Sequence, residues 1–182
     1  STLAAGLVRS LPGVLLLREP GGVALAERVR EVVKDPQLRV GARAEALLYA
    51  AARAQLVEEA VRPALDRGET VLLDRFVDSS LAYQGAGRGL GVEAVRAIND
   101  FGSGGLRPDR TLLLRVDPSV GRARAGERGE APDRLEREAD AFFAAVAGAY
   151  DELAAAEPQR FVVLDGGAPA DQVLAEALRA LG

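Results

Sequence analysis

The sequence contains no cysteine and no histidine among its 182 residues. Without these side chains the chain cannot form disulfides, thiolate zinc sites, Ser-His-Asp triads or a cysteine nucleophile. Methionine and tryptophan are also absent, and of the 23 basic residues only Lys34 is a lysine. Any chemistry of this chain therefore depends on arginine, carboxylate and hydroxyl groups, with or without a metal ion.

The charge balance argues against one broad class of partner. The chain has 23 basic and 27 acidic residues, a net charge of -4, whereas proteins that bind nucleic-acid polymers usually carry a basic excess. The sequence has no leader-like segment and no apolar run of about 18 residues, so we expect no membrane span and a cytoplasmic location. The length fits a single domain with one core.

Four short apolar runs separated by helical patterns predict an α/β fold. The runs cover residues 14–17, 71–73, 111–116 and 161–164. Strands that alternate with helices pair in parallel through right-handed crossovers. The sequence therefore predicts a three-layer architecture, a parallel sheet flanked by helices.

Apolar stripes with helical spacing, and the residues that bound them, predict the helices between these strands. Gly68 is predicted to end a long helix and Pro169 to open the last helix in its first turn. The glycine-rich segment 85–91 lacks the lysine and hydroxyl of a phosphate-binding loop and is interpreted as a connector. The stripes lie at residues 25–33, 47–56, 142–153 and 173–178.

Residues 72–84 contain the most informative pattern in the chain. Asp74 and Arg75 directly follow a predicted buried strand, at the carboxyl end where open α/β sheets bind ligands. A strand capped by a surface ion pair is the alternative interpretation. Two pairs of polar residues four positions apart then share helix faces, Ser79 with Tyr83 and Ser80 with Gln84. We expect these groups to converge on one small ligand.

The segment 121–138 carries closely interspersed arginines and carboxylates. Balanced charge of this kind is typical of a solvated helix face. The alternative interpretation is that some of these arginines take part in catalysis. The residue pattern alone leaves both interpretations open.

Residues 72–84 and the motif Arg18-Glu19-Pro20-Gly21-Gly22 closely resemble the bacterial thymidylate kinases. The resemblance continues through residues 45–53, 133–136 and 161–165 and so extends over essentially the whole chain. It implies one domain of the P-loop nucleoside monophosphate kinase type over residues 1–182, with a lid-like segment at about 121–138. It also implies phosphorylation of dTMP to dTDP with ATP and Mg²⁺, in dTTP biosynthesis, by a homodimer.

The first residues resemble only the end of a Walker A loop. Family members begin with a strand and a loop that ends Gly-Lys-Ser/Thr-Thr, and Ser1 and Thr2 resemble its final pair. The strand, the glycines and the lysine are absent from this sequence, so we expect further residues before Ser1. A chain that began at Ser1 would instead be a non-catalytic scaffold of the same fold. A kinase for another nucleotide or nucleoside is the other alternative.

The resemblance assigns a binding site for dTMP. Arg18 and Arg75 contact the acceptor phosphate, and the ring of Tyr49 stacks on thymine, although this tyrosine could also be ordinary helix core. Arg53, Ser80 and Gln84 bind the base, and Pro20 lies near the thymine methyl. The ring of Tyr83 excludes a ribose 2'-hydroxyl, and Ser79 belongs to the same site.

The resemblance also assigns groups for phosphoryl transfer. Asp74 orients magnesium, with the Ser1 hydroxyl as a direct ligand, while Glu19 either belongs to this site or only fixes its loop. Arg124 and Arg128 act on the transition state, in a lid type of kinase, with Arg122 and Arg134 as their neighbours in the lid-like segment. Arg75, on the acceptor phosphate, is the other catalytic arginine. The ATP-binding assignments are Ser1, Thr2, Arg122 and Arg124, with Asp165 and Gly166 beside adenine.

Overall fold

The four strands lie where the apolar runs predicted them. In a computed structural model that describes residues 2–117, 120–121 and 133–182, β1 pairs in parallel with β2, and β3 pairs in parallel with β4. Within these residues the strands form two separate two-stranded sheets. The strands are β1 Val14–Arg18, β2 Thr70–Asp74, β3 Thr111–Arg115 and β4 Phe161–Asp165.

The predicted helices are confirmed, with one small correction. Gly68 follows α4 with a φ of 78°, as a helix end requires, but Pro169 is the residue before α8 rather than part of its first turn. The helices are α1 Thr2–Ser10, α2 Ala24–Lys34, α3 Ala42–Leu56, α4 Arg62–Asp66, α5 Val77–Ser80, α6 Val92–Ser103, α7 Asp140–Ala156 and α8 Ala170–Leu181. Two π-helical segments, Val57–Val61 and Leu81–Gly87, continue α3 and α5. Among the described helices none is long and apolar enough to cross a membrane.

Both strand pairs contact the same two helical layers. Leu72 of β2 and Leu112 of β3 pack in one cluster with residues of α1 and α8. Leu73 and Leu113, the next residue of each strand, pack in a second cluster with residues of α5, α6 and α7. Because successive strand residues point to opposite faces, this arrangement gives the predicted layers of helix, sheet and helix.

The glycine-rich segment is only partly a connector. The π-helical segment continues through Gly87, and the turn comprises residues 88–91. The prediction of a connector over 85–91 is therefore wrong for its first three residues. A Cβ at Gly87 would lie 2.6 Å from the Phe142 ring and 2.9 Å from Val146. Gly87 is thus needed for the close approach of α7 rather than for a turn.

Candidate active site

A cavity of about 440 Å³ lies at the carboxyl ends of β1 and β2. Arg18 and Asp74, the last residues of these strands, are opposite each other in the parallel register and both line the cavity. The structure brings together all the residues that the sequence assigned to dTMP. The predicted residues that line the cavity are Arg18, Pro20, Tyr49, Arg53, Asp74, Arg75, Ser79, Ser80, Tyr83 and Gln84.

The loop after β1 is held in place by Glu27 of α2. The backbone N–H of Gly22 donates to Glu27 at 2.8 Å, and Nη2 of Arg18 donates to both carboxylate oxygens at 3.1 and 3.2 Å. The bond from Gly22, aided by Arg18, holds the pKa of Glu27 below its ordinary value. A Cβ at Gly21, where φ is 137°, would lie 2.6 Å from the Glu27 carboxylate. The tip of the Glu27 side chain could shift, but a φ of 137° is one that residues with a Cβ rarely adopt, and this conformation explains the glycine of the motif.

Glu19 and Arg53 form a buried ion pair in the wall of the cavity. Nε of Arg53 donates to the Glu19 carboxylate at 2.9 and 3.2 Å, and its Nη2 donates at 2.5 Å. Burial raises the pKa of Glu19, and Arg53 offsets only part of that effect. Glu19 was assigned either to the magnesium site or to fixing its loop. These contacts hold the loop after β1 against α3 and so favour the second interpretation.

The second terminal nitrogen of Arg53 is also engaged. Nη1 donates to Ser80 Oγ at 3.1 Å and to the side-chain oxygen of Asn99. The guanidinium lies over the ring of Phe76, with its central carbon 5.3 Å from the ring centroid. Since an arginine has five N–H donors, these contacts orient the group and leave part of one terminal nitrogen for a ligand. Asn99, on α6, was not predicted.

Arg75 has an unusual backbone conformation. Its φ of 74° is in the left-handed region, which is uncommon for a residue other than glycine and is found at ligand-binding sites. The guanidinium lies 4.9 Å from the centroid of the Tyr83 ring. That ring in turn packs edge-on against Phe142 of α7, with centroids 5.9 Å apart. Tyr83 thus supports the cation at the cavity wall.

Ser79 is hydrogen-bonded to a residue of α7. The hydroxyl of Tyr150 donates to Ser79 Oγ at 2.8 Å. Burial raises the pKa of Tyr150 despite the nearby charge of Arg75, so its phenol remains a neutral donor. The serine is therefore held beside the cavity by a neutral hydrogen bond.

Tyr49 belongs to both the cavity and the core. It lines the cavity and also packs on the cluster between α2 and α3 that includes Val29, Val33 and Ala52. Burial, together with the charge of Glu45, raises the pKa of Tyr49 to about 12. The two interpretations of this residue are therefore compatible, because one face of α3 can supply both contacts.

A fully buried carboxylate, Glu45, accepts hydrogen bonds from three residues of two distant segments. Nε2 of Gln84 donates to it at 2.9 Å, Arg88 donates from Nε and Nη2 at 3.1 and 3.0 Å, and Nη2 of Arg134 donates at 2.5 Å. Burial alone would raise the pKa of Glu45, but these hydrogen bonds outweigh it and lower the pKa. Arg88 was not predicted.

Asp133 and Arg134 attach the segment 133–138 to the body of the protein, whereas Glu136 and Arg137 are exposed. Lys34 pairs with Asp133 at 3.0 Å, and Nε of Arg134 donates to the backbone oxygen of Val33 at 2.9 Å. The segment is a turn and not a helix, so the interpretation as a solvated helix face is wrong for this part. Arg122, Arg124 and Arg128 lie outside the described residues, as does Ser1.

Sequence reasoning missed several residues of the cavity wall. Arg30 and Lys34 are four residues apart on α2, so their shared helix face was a usable signal. Residues 133–136 belong to the resemblance, but no local periodicity placed them or Phe143 at the cavity, which they reach through tertiary packing. The missed lining residues are Arg30, Lys34, Asp133, Leu135, Glu136 and Phe143.

Three of the residues predicted for ATP, Thr2, Asp165 and Gly166, are described by the structure, and they do not line this cavity. Asp165 ends β4 and accepts the N–H of Gly167 at 2.8 Å, while the N–H of Gly166 donates to the backbone of Arg115 at 2.9 Å. These bonds form a tight turn at the carboxyl end of the second strand pair. Thr2 begins α1. None of these three residues lines the cavity.

Asp74 suits a magnesium ion held mainly by substrate. Within the described part of the chain, no three acidic side chains come together as a metal cage. Magnesium commonly binds through one or two carboxylates, with phosphate oxygens and water completing its shell. A single carboxylate at the end of β2, on the cavity wall, fits that donor set.

Comparison with known proteins decides the family. A model of the thymidylate kinase family matches residues 1–177. The chain belongs to the thymidylate kinase family. The thymidylate kinase of Deinococcus radiodurans is 55% identical over 163 residues, which cover 90% of this chain and 79% of that protein. That of Halorhodospira halophila is 48% identical over 98% of this chain and 81% of its own length. That of Leifsonia xyli is 50% identical over 97% of this chain and 85% of its own length.

Family membership confirms the resemblance found in the sequence and the P-loop nucleoside monophosphate kinase fold. The match extends over both motifs and over the segment 133–138. Thymidylate kinases are nucleoside monophosphate kinases, so the chain is a phosphotransferase by descent. The roles of individual residues are a separate question, which the geometry of the cavity addresses.

Proposed function

We propose that this protein transfers a phosphoryl group from ATP to dTMP and yields dTDP and ADP. The observation that carries the proposal is the cavity at the ends of β1 and β2. It combines two guanidinium groups, Arg18 and Arg75, with the ring of Tyr49 and the buried polar pair of Ser80 and Gln84. A phosphate and a flat base with polar edges require this combination of charge, ring and hydrogen-bonding groups.

The acceptor phosphate is proposed to bind Arg18 and Arg75. A planar guanidinium can donate two parallel hydrogen bonds to phosphate oxygens. Arg75 is supported on the Tyr83 ring, whereas Arg18 is paired with Glu27 and can exchange this partner for a phosphate. Phosphoryl transfer depends on charge neutralisation and alignment more than on proton transfer. A chain without histidine can therefore perform it.

The base is proposed to lie between Tyr49 and the polar groups of α3 and α5. Stacking of a base on an aromatic ring contributes about 1 to 3 kcal/mol. Arg53 and Ser80 are already linked to each other, so one buried network would contact the base edge. Pro20 is proposed to lie near the thymine methyl, and Tyr83 to exclude a ribose 2'-hydroxyl.

The donor side is proposed from the family resemblance. Asp74 would hold Mg²⁺ with the Ser1 hydroxyl, and the ion would supply positive charge at the phosphates of ATP. Arg124 and Arg128 are proposed to act on the transition state. Ser1, Thr2, Arg122 and Arg124 are proposed to contact the ATP phosphates, with Asp165 and Gly166 at the adenine.

We also propose that the protein is a homodimer in the cytoplasm, since family members usually form homodimers in which helix faces pack together. Leu47 on α3 and Phe101 on α6 are 56% and 93% exposed, and these two helices pack together. Light scattering of wild-type protein and the Phe101→Glu variant tests the proposed dimer. We expect a dimer that the glutamate dissociates; a wild-type monomer would contradict it.

Calorimetry with dTMP and thymidine tests the proposed cavity. We expect wild-type protein to bind dTMP far more tightly than thymidine, because only dTMP offers a phosphate to Arg18 and Arg75. The Arg75→Met variant should lose most of this difference while it retains the weak affinity for thymidine. Equal binding of the two ligands by wild-type protein would contradict the proposed phosphate site.

A further inference from the structure

Glu45 does not line the cavity, but it bonds directly to Gln84, which does. Nε2 of Gln84 lies 2.9 Å from Oε1 of Glu45, and both side chains are buried. A carboxylate offers only acceptors, so the amide must turn its NH₂ group toward Glu45. The amide oxygen is then the acceptor that Gln84 retains for a ligand.

Three ionic contacts keep Glu45 in this role. Arg88 donates to both carboxylate oxygens, and Arg134 donates to Oε2. A buried carboxylate with two guanidinium partners stays ionised, since the charge-assisted hydrogen bonds favour that form. The orientation of the Gln84 amide therefore depends on a residue outside the cavity wall.

We propose that Glu45 is a positioning residue that fixes the Gln84 amide and thereby selects the base of the acceptor nucleotide. The proposal rests on the function proposed above. Thymine and uracil carry an N–H at ring position N3, whereas cytosine has a bare acceptor nitrogen there. An amide oxygen held toward the base accepts the N3 hydrogen of thymine and repels the N3 lone pair of cytosine.

Two effects of Glu45 can be separated by experiment: its proposed effect on base preference and its contribution to the stability of the protein. The Glu45→Gln variant has an amide that offers either a donor or an acceptor, so the Gln84 amide is free to turn over. The Arg88→Met variant instead removes ion pairs from Glu45 and Glu138 but leaves the bond between Gln84 and Glu45. It is therefore the matched control for lost stability.

The experiment measures the affinities of dTMP, dUMP and dCMP for the full-length protein by calorimetry. In E45Q we expect the preference for dTMP over dCMP to fall by up to about tenfold, the effect of one hydrogen bond between two neutral groups such as thymine N3–H and the Gln84 amide oxygen. The ratio of dTMP to dUMP should stay within about twofold, because both bases carry the N3 hydrogen. In R88M both ratios should remain, with a lower melting temperature.

A second variant keeps the test decisive if E45Q folds poorly. The Glu45→Asp variant keeps the negative charge that pairs with Arg88 and Arg134, but its side chain is one methylene group shorter, so the carboxylate draws back from Gln84. We expect its preference for dTMP over dCMP to fall as well. An unchanged ratio of dTMP to dCMP in folded E45Q or E45D would overturn the inference alone. Wild-type protein that binds no dTMP would overturn the proposed function as well.

Discussion

Arg53 on α3 and Glu19 in the loop after β1 form an ion pair in which both side chains are almost completely buried, 2% and 4% exposed. The pair connects the end of β1 to the helix that carries Tyr49. Removal of one partner from a buried pair leaves an uncompensated charge and costs about 3 to 5 kcal/mol. We therefore expect Glu19→Gln to lower the free energy of unfolding by about 3 kcal/mol in urea titrations.

A matched control for this variant is Glu31→Gln, which removes an exposed pair with Arg28. Exposed pairs contribute less than about 1 kcal/mol, so this variant should unfold nearly as wild type does. The double variant Glu19→Met with Arg53→Met should recover part of the lost stability, since no buried charge remains. Equal stability of E19Q and E31Q would contradict the account of this pair.

The parts of the site that lie on one element could be predicted from the sequence, and those that join distant elements could not. Ser79, Ser80, Tyr83 and Gln84 share a helix, and helical spacing encodes their common face. The partners of Glu45 instead lie 39, 43 and 89 residues away. No local periodicity records such contacts, because tertiary packing alone brings these residues together.

The backbone conformation of single residues could not be predicted from the sequence either. The positive φ of Arg75 has no signal in its residue type, because arginine rarely adopts it. The glycines at 85 and 87 favour a connector in the sequence because glycine is common in loops as well as at close helix contacts. The four strands, in contrast, were predicted within one or two residues, since buried parallel strands form continuous apolar runs.

Tyr49→Ala should weaken dTMP binding more than ATP binding. The lost stacking corresponds to about 1 to 3 kcal/mol, and Tyr49 lines the proposed acceptor cavity. Calorimetry with each nucleotide measures the two effects, with Tyr49→Phe as the control that keeps the ring. Equal losses for dTMP and ATP would place Tyr49 in the core alone.

The stability of the protein should decrease on acidification. Hydrogen bonds lower the pKa of Glu45 below its ordinary value of 4.5 and that of Asp133 below 3.8, despite burial. The unfolded chain therefore takes up protons first as the pH falls through these ordinary values, and the folded state loses stability until the lowered pKa values are passed.

Thermal unfolding between about pH 6 and pH 3 measures this effect. The curve of E45Q should be flatter than that of wild type, because the variant lacks the Glu45 contribution. Glu19, with a pKa raised by burial, acts in the opposite direction but is common to both proteins. Parallel curves for wild type and E45Q would contradict the assignment.

Arg124→Ala and Arg128→Ala should lower kcat far more than they change dTMP affinity. A transition-state arginine contributes on the order of 10³ to 10⁵ in rate in related phosphoryl-transfer systems, since its charge matters most during transfer. Substitution of the exposed Arg9 is the control and should leave both kcat and the dTMP affinity unchanged. If both variants keep kcat within about twofold of wild type, another residue must supply the transition-state charge.

The central claim, that this chain is a dTMP kinase, is tested most directly by turnover. ADP formation by the full-length protein is measured with ATP and Mg²⁺, with dTMP, dUMP, dCMP or dGMP as the acceptor. We predict ADP formation that depends on dTMP, with kcat/KM highest for dTMP and sharply reduced in Arg75→Met. No ADP formation with dTMP, while another monophosphate is turned over, would contradict the account.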